Sequence, residues 1–345
     1  MKVSGQTFTI GFPHSAPTIG GPGSFQSRLE DELTRRGHRV VFPGDYDSPD
    51  VILVVGGTKK LKWLWSSKRR GAAIVHRLDG INWKHTVSPT PLKHRVIAEA
   101  RNFLMRSIRN RLADHVIYQS QFVQQWWWRK YGRARCDETV VHNAVDLSNF
   151  TPSAGEHRSE GGILLFVEGN IPEDSTTTAI IEGLHKRLYD DGVILETVVC
   201  GGISDNLYDR LTAVPGIQVK KNVPRAEMPR IFAGADVYVS LEINPPCPNA
   251  VIEALASGVP VVGFDTGSLR ELVTSDAGIV VPYNGDPWRL ELPDIDALAA
   301  AAVTVLALRD EYGSRARVVA ERQYDLRDLT DIYLDVFQRV MRGGV

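Results

Sequence analysis

The sequence predicts an α/β protein of two Rossmann-like domains whose parallel sheets face each other across a cleft. Three observations predict it. Twelve short apolar runs alternate with stretches of helical period, and strands alternating with helices imply parallel sheets covered on both faces. The runs fall in two series of six, on either side of a polar, turn-rich segment at 151–162 (TPSAGEHRSEGG). The length, 345 residues, suffices for two domains. The predicted domains are therefore 1–150 and 151–325, followed by a docked helix at about 326–345 carrying Leu329, Ile332, Tyr333, Val336, Phe337 and Val340 on one stripe. A cleft between two such domains is the usual place for a site.

Composition narrows the class of function. Apolar residues make up 43% and charged residues 23%, an ordinary globular balance. The formal net charge of −1 argues against a general nucleic-acid binder, whose footprint is basic. No run of 18 apolar residues predicts a membrane span. The first residues, MKVSGQTFTIGF, lack the long apolar stretch of a signal peptide. Cys136, Cys200 and Cys247 are far apart and odd in number, which suits a reducing cytoplasm rather than disulfides or zinc.

In the first half, strands are expected at Thr7–Phe12, Arg39–Pro43, Val51–Val55, Ala72–Leu78, His115–Ser120 and Thr139–Asn143. The first is followed by a loop holding Gly20, Gly21 and Gly23, then a helix from Ser24 to Arg36 with Phe25, Leu29 and Leu33 on its buried face. Those glycines allow backbone N–H groups to approach an anion, although the pattern is neither a Walker loop nor a dinucleotide fingerprint. At the end of the fourth strand, His76 and Asp79 are candidates to serve a substrate hydroxyl; a strand-end Asp that caps a turn is the commoner case. Between Lys93 and Arg111 stand six basic residues and one acid, Glu99, with an apolar stripe of Val96, Ile97, Ala100, Phe103, Leu104 and Ile108. Lys59–Trp65 and Trp126–Lys130 add basic, aromatic character. Two readings suit this region: a surface that touches anionic lipid, or, more commonly, a core helix with a solvated basic face.

In the second half, strands are expected at Ile163–Glu168, Leu195–Gly201, Ile217–Val223, Val237–Leu241, Pro260–Asp265 and Gly278–Pro282. The stretch Ser240–Glu271 organises it. Pro248 and Asn249 open a short helix, Val251, Ala254 and Leu255 form its buried face, and Gly258 ends it. Glu253 lies one turn inside, at the carboxyl edge of the sheet. There a carboxylate can accept hydrogen bonds from ribose hydroxyls and helix N-termini can face phosphate.

Several segments in order now resemble one known family. The Gly20–Gly23 loop, Ala113–Ile117, Val141–Leu147 (VHNAVDL) and Cys247–Gly267 together resemble a GT4 family glycosyltransferase of the GT-B fold, over nearly the whole chain. The resemblance implies a nucleotide-sugar donor held mainly by the second domain and an acceptor against the first. It implies transfer with retention at the anomeric carbon, no bound metal, and a last helix crossing back to the first domain. Glu253 matches the glutamate that binds the donor ribose, and Pro248, Asn249 and Ala250 match the loop against the donor sugar and phosphates. Gly20, Gly21 and Gly23 match the loop facing the diphosphate. His76 and Asp79 lie near the polar position beside the acceptor and the anomeric centre.

The chain departs from that family at three positions. Pro245 stands where the first motif glutamate belongs, and Glu242 lies three residues earlier. Asn170 and Ser175 stand where an Arg and a Lys flank the diphosphate; Arg28, Lys220, Lys221, Arg225 and Arg270 are the candidate replacements. The leading expectation is a cytoplasmic, metal-independent retaining glycosyltransferase acting on a glycan, lipid-linked or small-molecule acceptor; peripheral contact with an anionic inner membrane face follows only on the lipid reading of Lys93–Arg111. The alternative is a catalytically silent relative acting as a binding or partner protein. A third reading is another GT-B enzyme such as a nucleotide-sugar epimerase, and the Pro248–Gly258 helix weighs against it.

Overall fold

The computed structural model describes residues 7–17, 21–153, 161–173 and 175–342. In chain order the first series is β1 (Thr9–Gly11), α1 (Gly21–Arg35), β2 (Arg39–Val41), β3 (Val51–Val55), α2 (Leu61–Arg69), β4 (Ala73–Leu78), α3 (Leu92–Arg111), β5 (His115–Tyr118), α4 (Gln121–Tyr131) and β6 (Asp137–Val140). The second is β7 (Gly162–Ile171), α5 (Thr176–Asp190), β8 (Ile194–Ile203), α6 (Asp205–Thr212), β9 (Ile217–Lys221), α7 (Met228–Ala233), β10 (Val237–Ser240), α8 (Asn249–Ala256), β11 (Val261–Phe264), α9 (Leu269–Leu272), β12 (Gly278–Val281), α10 (Ile295–Ala307) and α11 (Arg309–Gln323). The last helix is α12 (Leu326–Arg342). All twelve expected strands are present, each within a few residues of its predicted bounds.

The chain forms two units: residues up to Asn143 together with α12, and Ala144 to Asp325. In the first, six parallel strands run β2-β1-β3-β4-β5-β6. β3 is buried along its whole length because both faces are covered. Leu64 of α2 and Ile108 of α3 pack on Ile52, Val54 and Ile74 of one face. α1 pairs with α12, where Phe25 and Tyr333 lie 5.6 Å apart and the Arg36 guanidinium bonds Asp331 and the Arg327 carbonyl. The buried Leu329, Tyr333, Val336 and Phe337 place the predicted apolar stripe of α12 against this unit, except that Ile332, assigned to the same stripe, is 43% exposed.

In the second unit the order is β12-β11-β10-β7-β8-β9, again parallel throughout. Strand order reverses between β7 and β10, so a crevice at their carboxyl ends is the expected ligand position. The core gathers α8, α11 and β10 around Leu255, Tyr238, Ala316 and Tyr324.

Three local expectations shift. The boundary falls at Asn143/Ala144 rather than at 150, because Val145 N donates to Tyr324 O (2.9 Å) and Phe150 is buried against Phe232. Burial of that apolar pair outweighs the turn-like composition that follows it. α1 begins at Gly21, so Gly21 and Gly23 occupy its first turn and Ser24 is not its cap. α3 packs on the sheet only near its carboxyl end and on one face: Met105 and Ile108 are buried, whereas Val96, Ile97 and Phe103 are exposed.

Candidate functional site

In the second unit, two helices start beside the β7/β10 reversal. α5 is capped by Ser175, whose Oγ accepts from Thr178 N at 3.2 Å. α8 has Pro248 in the capping position and Asn249 as its first residue. Val251, Ala254 and Leu255 are fully buried, and Gly258 ends the helix with φ +68°. Ala250 is half-buried on the first turn. Glu253 is buried (7% exposed).

Tyr238 on β10 marks where the acids converge. Its hydroxyl donates to Val167 O at 3.4 Å. Its ionisation is pushed well up, first by burial and then by the charges of Glu168, Glu242 and Glu253. Three carboxylates therefore act on one phenol at the carboxyl edge of this sheet. The proline-rich loop before α8 is held by its neighbour: Asn244 N bonds Thr266 Oγ1 (3.2 Å), and Ser268 N bonds Pro245 O (2.9 Å). Gly267 has φ +61°, and a Cβ there would meet the Pro245 backbone at 2.4 Å, so only glycine fits. Pro245 is thus a packing residue, while Glu242 sits exposed just past β10.

The two positions where the family pattern has an Arg and a Lys hold uncharged side chains here. Asn170 is exposed near the end of β7, opposite Gly202 of β8. Ser175 is used as a helix cap. Among the candidate replacements, Lys221 is bonded to Asp205 (2.5 Å) and Arg270 to Asp265 (2.7 Å). Lys220 and Arg225 are exposed. Arg28 lies in the first unit, half-buried on α1. Gly20 lies outside the described residues. A groove of about 520 Å³ lined by Leu165, Val198, Lys220 and Arg230 holds one candidate replacement cation, Lys220, but none of Asn170, Pro248, Asn249, Ala250 and Glu253.

In the first unit, His76 and Asp79 part company. His76 is fully buried on β4, and its Nε2 lies 2.6 Å from Gly56 O. A carbonyl only accepts, so Nε2 carries the proton. Burial, the largest cause, and the nearby Arg109 pull its pKa down to about 4, although the Gly56 bond opposes them, so the ring is neutral at pH 7. Asp79, three residues on, keeps a 22% exposed side chain at the strand end. Its Oδ1 accepts from Arg77 Nη1 (2.7 Å) and Gln119 Nε2 (3.1 Å), and its carbonyl accepts from Trp127 Nε1 (2.9 Å). Arg77 also donates to Gln119 Oε1 (2.8 Å) and Asn143 Oδ1 (2.5 Å) and lies 3.8 Å over the Phe25 ring. With Oδ1 occupied, Oδ2 faces Gly56, where an added Cβ would come within 3.2 Å of it. Burial raises the Asp79 pKa, and the Arg77 charge partly offsets that.

Arg77, Gln119, Asn143 and Trp127 were not picked out as site residues by the sequence reading. One signal was available: an Arg on a strand that is apolar apart from His76 and itself must find partners, and by alternation it shares a face with Asp79.

Residues 164–308, from β7 to the end of α10, match the family described as Glycosyl transferases group 1. A GDP-mannose-dependent alpha-mannosyltransferase of Mycolicibacterium smegmatis is 28% identical over 220 residues, which cover 56% of this chain and 54% of that protein. Sucrose-phosphate synthase from Thermosynechococcus elongatus superposes with a TM-score of 0.74 at 15% identity, over 97% of this chain and all (100%) of that one. The fold is GT-B. The Anabaena HepE protein in complex with UDP and glucose agrees, with a TM-score of 0.72 at 15% identity, over 96% of this chain and 100% of that one. The chain spans about half the length of the curated relatives it matches. Among the described residues, no helix is long and apolar enough to cross a membrane, and no cluster of three metal-ligating side chains is found.

Proposed function

We propose that this protein is a retaining, metal-independent glycosyltransferase that moves a sugar from a nucleotide-diphosphate sugar to a glycan, lipid-linked or small-molecule acceptor. The observation that carries it is the β7/β10 reversal, flanked by the starts of α5 and α8 with Glu253 beside it. This lies inside the segment that matches Glycosyl transferases group 1. Glu253 accepts hydrogen bonds from the ribose hydroxyls. The first N–H groups of α8, at Asn249 and Ala250, and of α5 face the diphosphate and supply part of the positive potential that the absent Arg and Lys do not. Stabilising the charge that develops on the departing nucleoside diphosphate is the main electrostatic task.

In the first unit, Asp79 is the group that serves the acceptor hydroxyl or the reacting sugar, and Arg77 and Gln119 hold it. His76 supports the Gly56 turn beside it. A relative's name speaks of GDP-mannose and a structural neighbour holds UDP and glucose, which supports a nucleotide-sugar donor without choosing the base.

A thermal-shift panel of UDP-, GDP-, ADP- and dTDP-sugars tests the reading. The matching donor raises the midpoint through linkage, and slow donor hydrolysis accompanies it. No shift with any donor would overturn it in favour of the catalytically silent relative.

A further inference from the structure

From its first turn to just past its middle, α3 exposes a second kind of surface. Leu92, Val96 and Phe103 are 76%, 60% and 65% exposed, far more than apolar side chains with a core to enter. At 100° per residue they fall within about 40° of one another, forming one stripe. Lys93 and Arg111 flank that stripe on one side, Arg95 and Arg106 on the other, and all four are exposed. Glu99, the single acid of the helix, is bonded to His85 at 2.8 Å. Arg109, the cation that faces inward, is buried with Tyr118 and Glu138 and takes no part. α2 packs on the same sheet face and adds Trp65, half exposed with Arg69 stacked 3.7 Å over it.

We propose that α3 docks this unit onto an anionic lipid surface, with the Leu92–Val96–Phe103 stripe at the acyl boundary and the flanking cations on the headgroups. An apolar stripe edged by cations matches such an interface in both shape and charge. A second copy of the chain fits less well, because a two-fold contact through this face would oppose like charges. The concentration of cations is local, since the whole chain carries a net charge of −1. Contact is peripheral and reversible, because it rests on side chains of one helix face and not on a span.

Vesicle flotation without any sugar donor tests this independently of the glycosyltransferase reading. The protein floats with phosphatidylcholine vesicles containing phosphatidylglycerol, stays behind with phosphatidylcholine alone, and is released as salt shortens the screening length. Arg95→Gln with Arg106→Gln weakens partitioning by roughly fivefold per cation. Val96→Ser with Phe103→Ser abolishes it at unchanged thermal midpoint, and Arg315→Gln on α11 leaves it unaltered. Equal binding to both vesicle types, indifference to both pairs of substitutions, or no flotation together with a dimer that Phe103→Ser dissociates would each overturn the proposal.

Discussion

Arg77 Nη1 donates to Asp79 Oδ1 across 2.7 Å, from a guanidinium that is 1% exposed to a carboxylate that is 22% exposed. Asp79 lies one residue past the end of β4 and two after Arg77, and so continues the face that Arg77 occupies. Arg77 is the hub, since Gln119, Asn143 and the Phe25 ring also converge on it. One oxygen of Asp79 is thereby committed and the other is left toward the Gly56 turn.

Breaking this pair is expected to leave a buried carboxylate without its cation. Arg77→Gln should cost about 3 kcal/mol in urea unfolding, the low end for a buried pair because Asp79 keeps some water. The pH profile is the sharper readout. Burial holds the Asp79 pKa above the ordinary carboxylate value and Arg77 lowers it. If the ionised form is active, transfer rises with pH along a limb above the usual carboxylate range, and Arg77→Gln moves that limb to higher pH. The same raised pKa makes folding stability fall as pH rises through it, a dependence that Asp79→Asn should remove. A limb indifferent to both substitutions would separate Asp79 from the chemistry.

His76 predicts an acid sensitivity of the opposite sign. Its folded pKa is depressed from 6.5 to about 4. Below 6.5 the unfolded chain binds a proton that the folded chain refuses, so stability is lost as pH falls from 6.5 toward 4. The loss amounts to ~3 kcal/mol at the lower end. His76→Gln should be less stable at pH 7 yet show a flatter loss between pH 7 and about 4. An unchanged slope in denaturant titrations would refute the assignment.

Glu253→Ala should weaken donor binding by about 1–3 kcal/mol if its carboxylate holds ribose hydroxyls. Isothermal titration with the donor identified by the thermal-shift panel measures this, and the unfolding midpoint serves as control because the side chain is buried in the core of α8. An unchanged dissociation constant removes the ribose assignment and leaves Glu253 a structural acid near Tyr238.

Restoring a missing cation should improve binding. Asn170 is exposed and Gly169 beside it has open space. Asn170→Arg is expected to tighten the diphosphate donor by about tenfold, the scale of one charge-assisted hydrogen bond. Ser175→Lys should show a mixed result, because it also deletes the α5 cap at a cost of about 1 kcal/mol of stability. Weaker donor binding in Asn170→Arg, read by titration, would place the diphosphate elsewhere.

Most of the fold was legible from local pattern. β3 is a continuous apolar run and β10 is one up to Ser240, and α8 announces itself by Pro248, its Val251–Leu255 face and Gly258, because periodicity and end signals are properties of neighbouring residues. The domain boundary was not, since Val145 and Phe150 declare their allegiance only through Tyr324 and Phe232, far away in the chain. The glycine loop was misread for a related reason: Gly21 and Gly23 are poor helix formers, yet packing of Phe25 and Leu29 carries the helix through them.

Order along the chain thus determined twelve strands, their alternation with helices, and the position of Glu253 on its short helix. Tertiary structure alone decided that Arg77 gathers Asp79, Gln119 and Asn143, that His76 is buried and neutral, and that Phe103 faces water while Ile108 faces the sheet. The division follows from range. Hydrogen bonding within a helix and alternation along a strand depend on residues a few positions apart, whereas burial and ionisation depend on whatever the rest of the chain brings close.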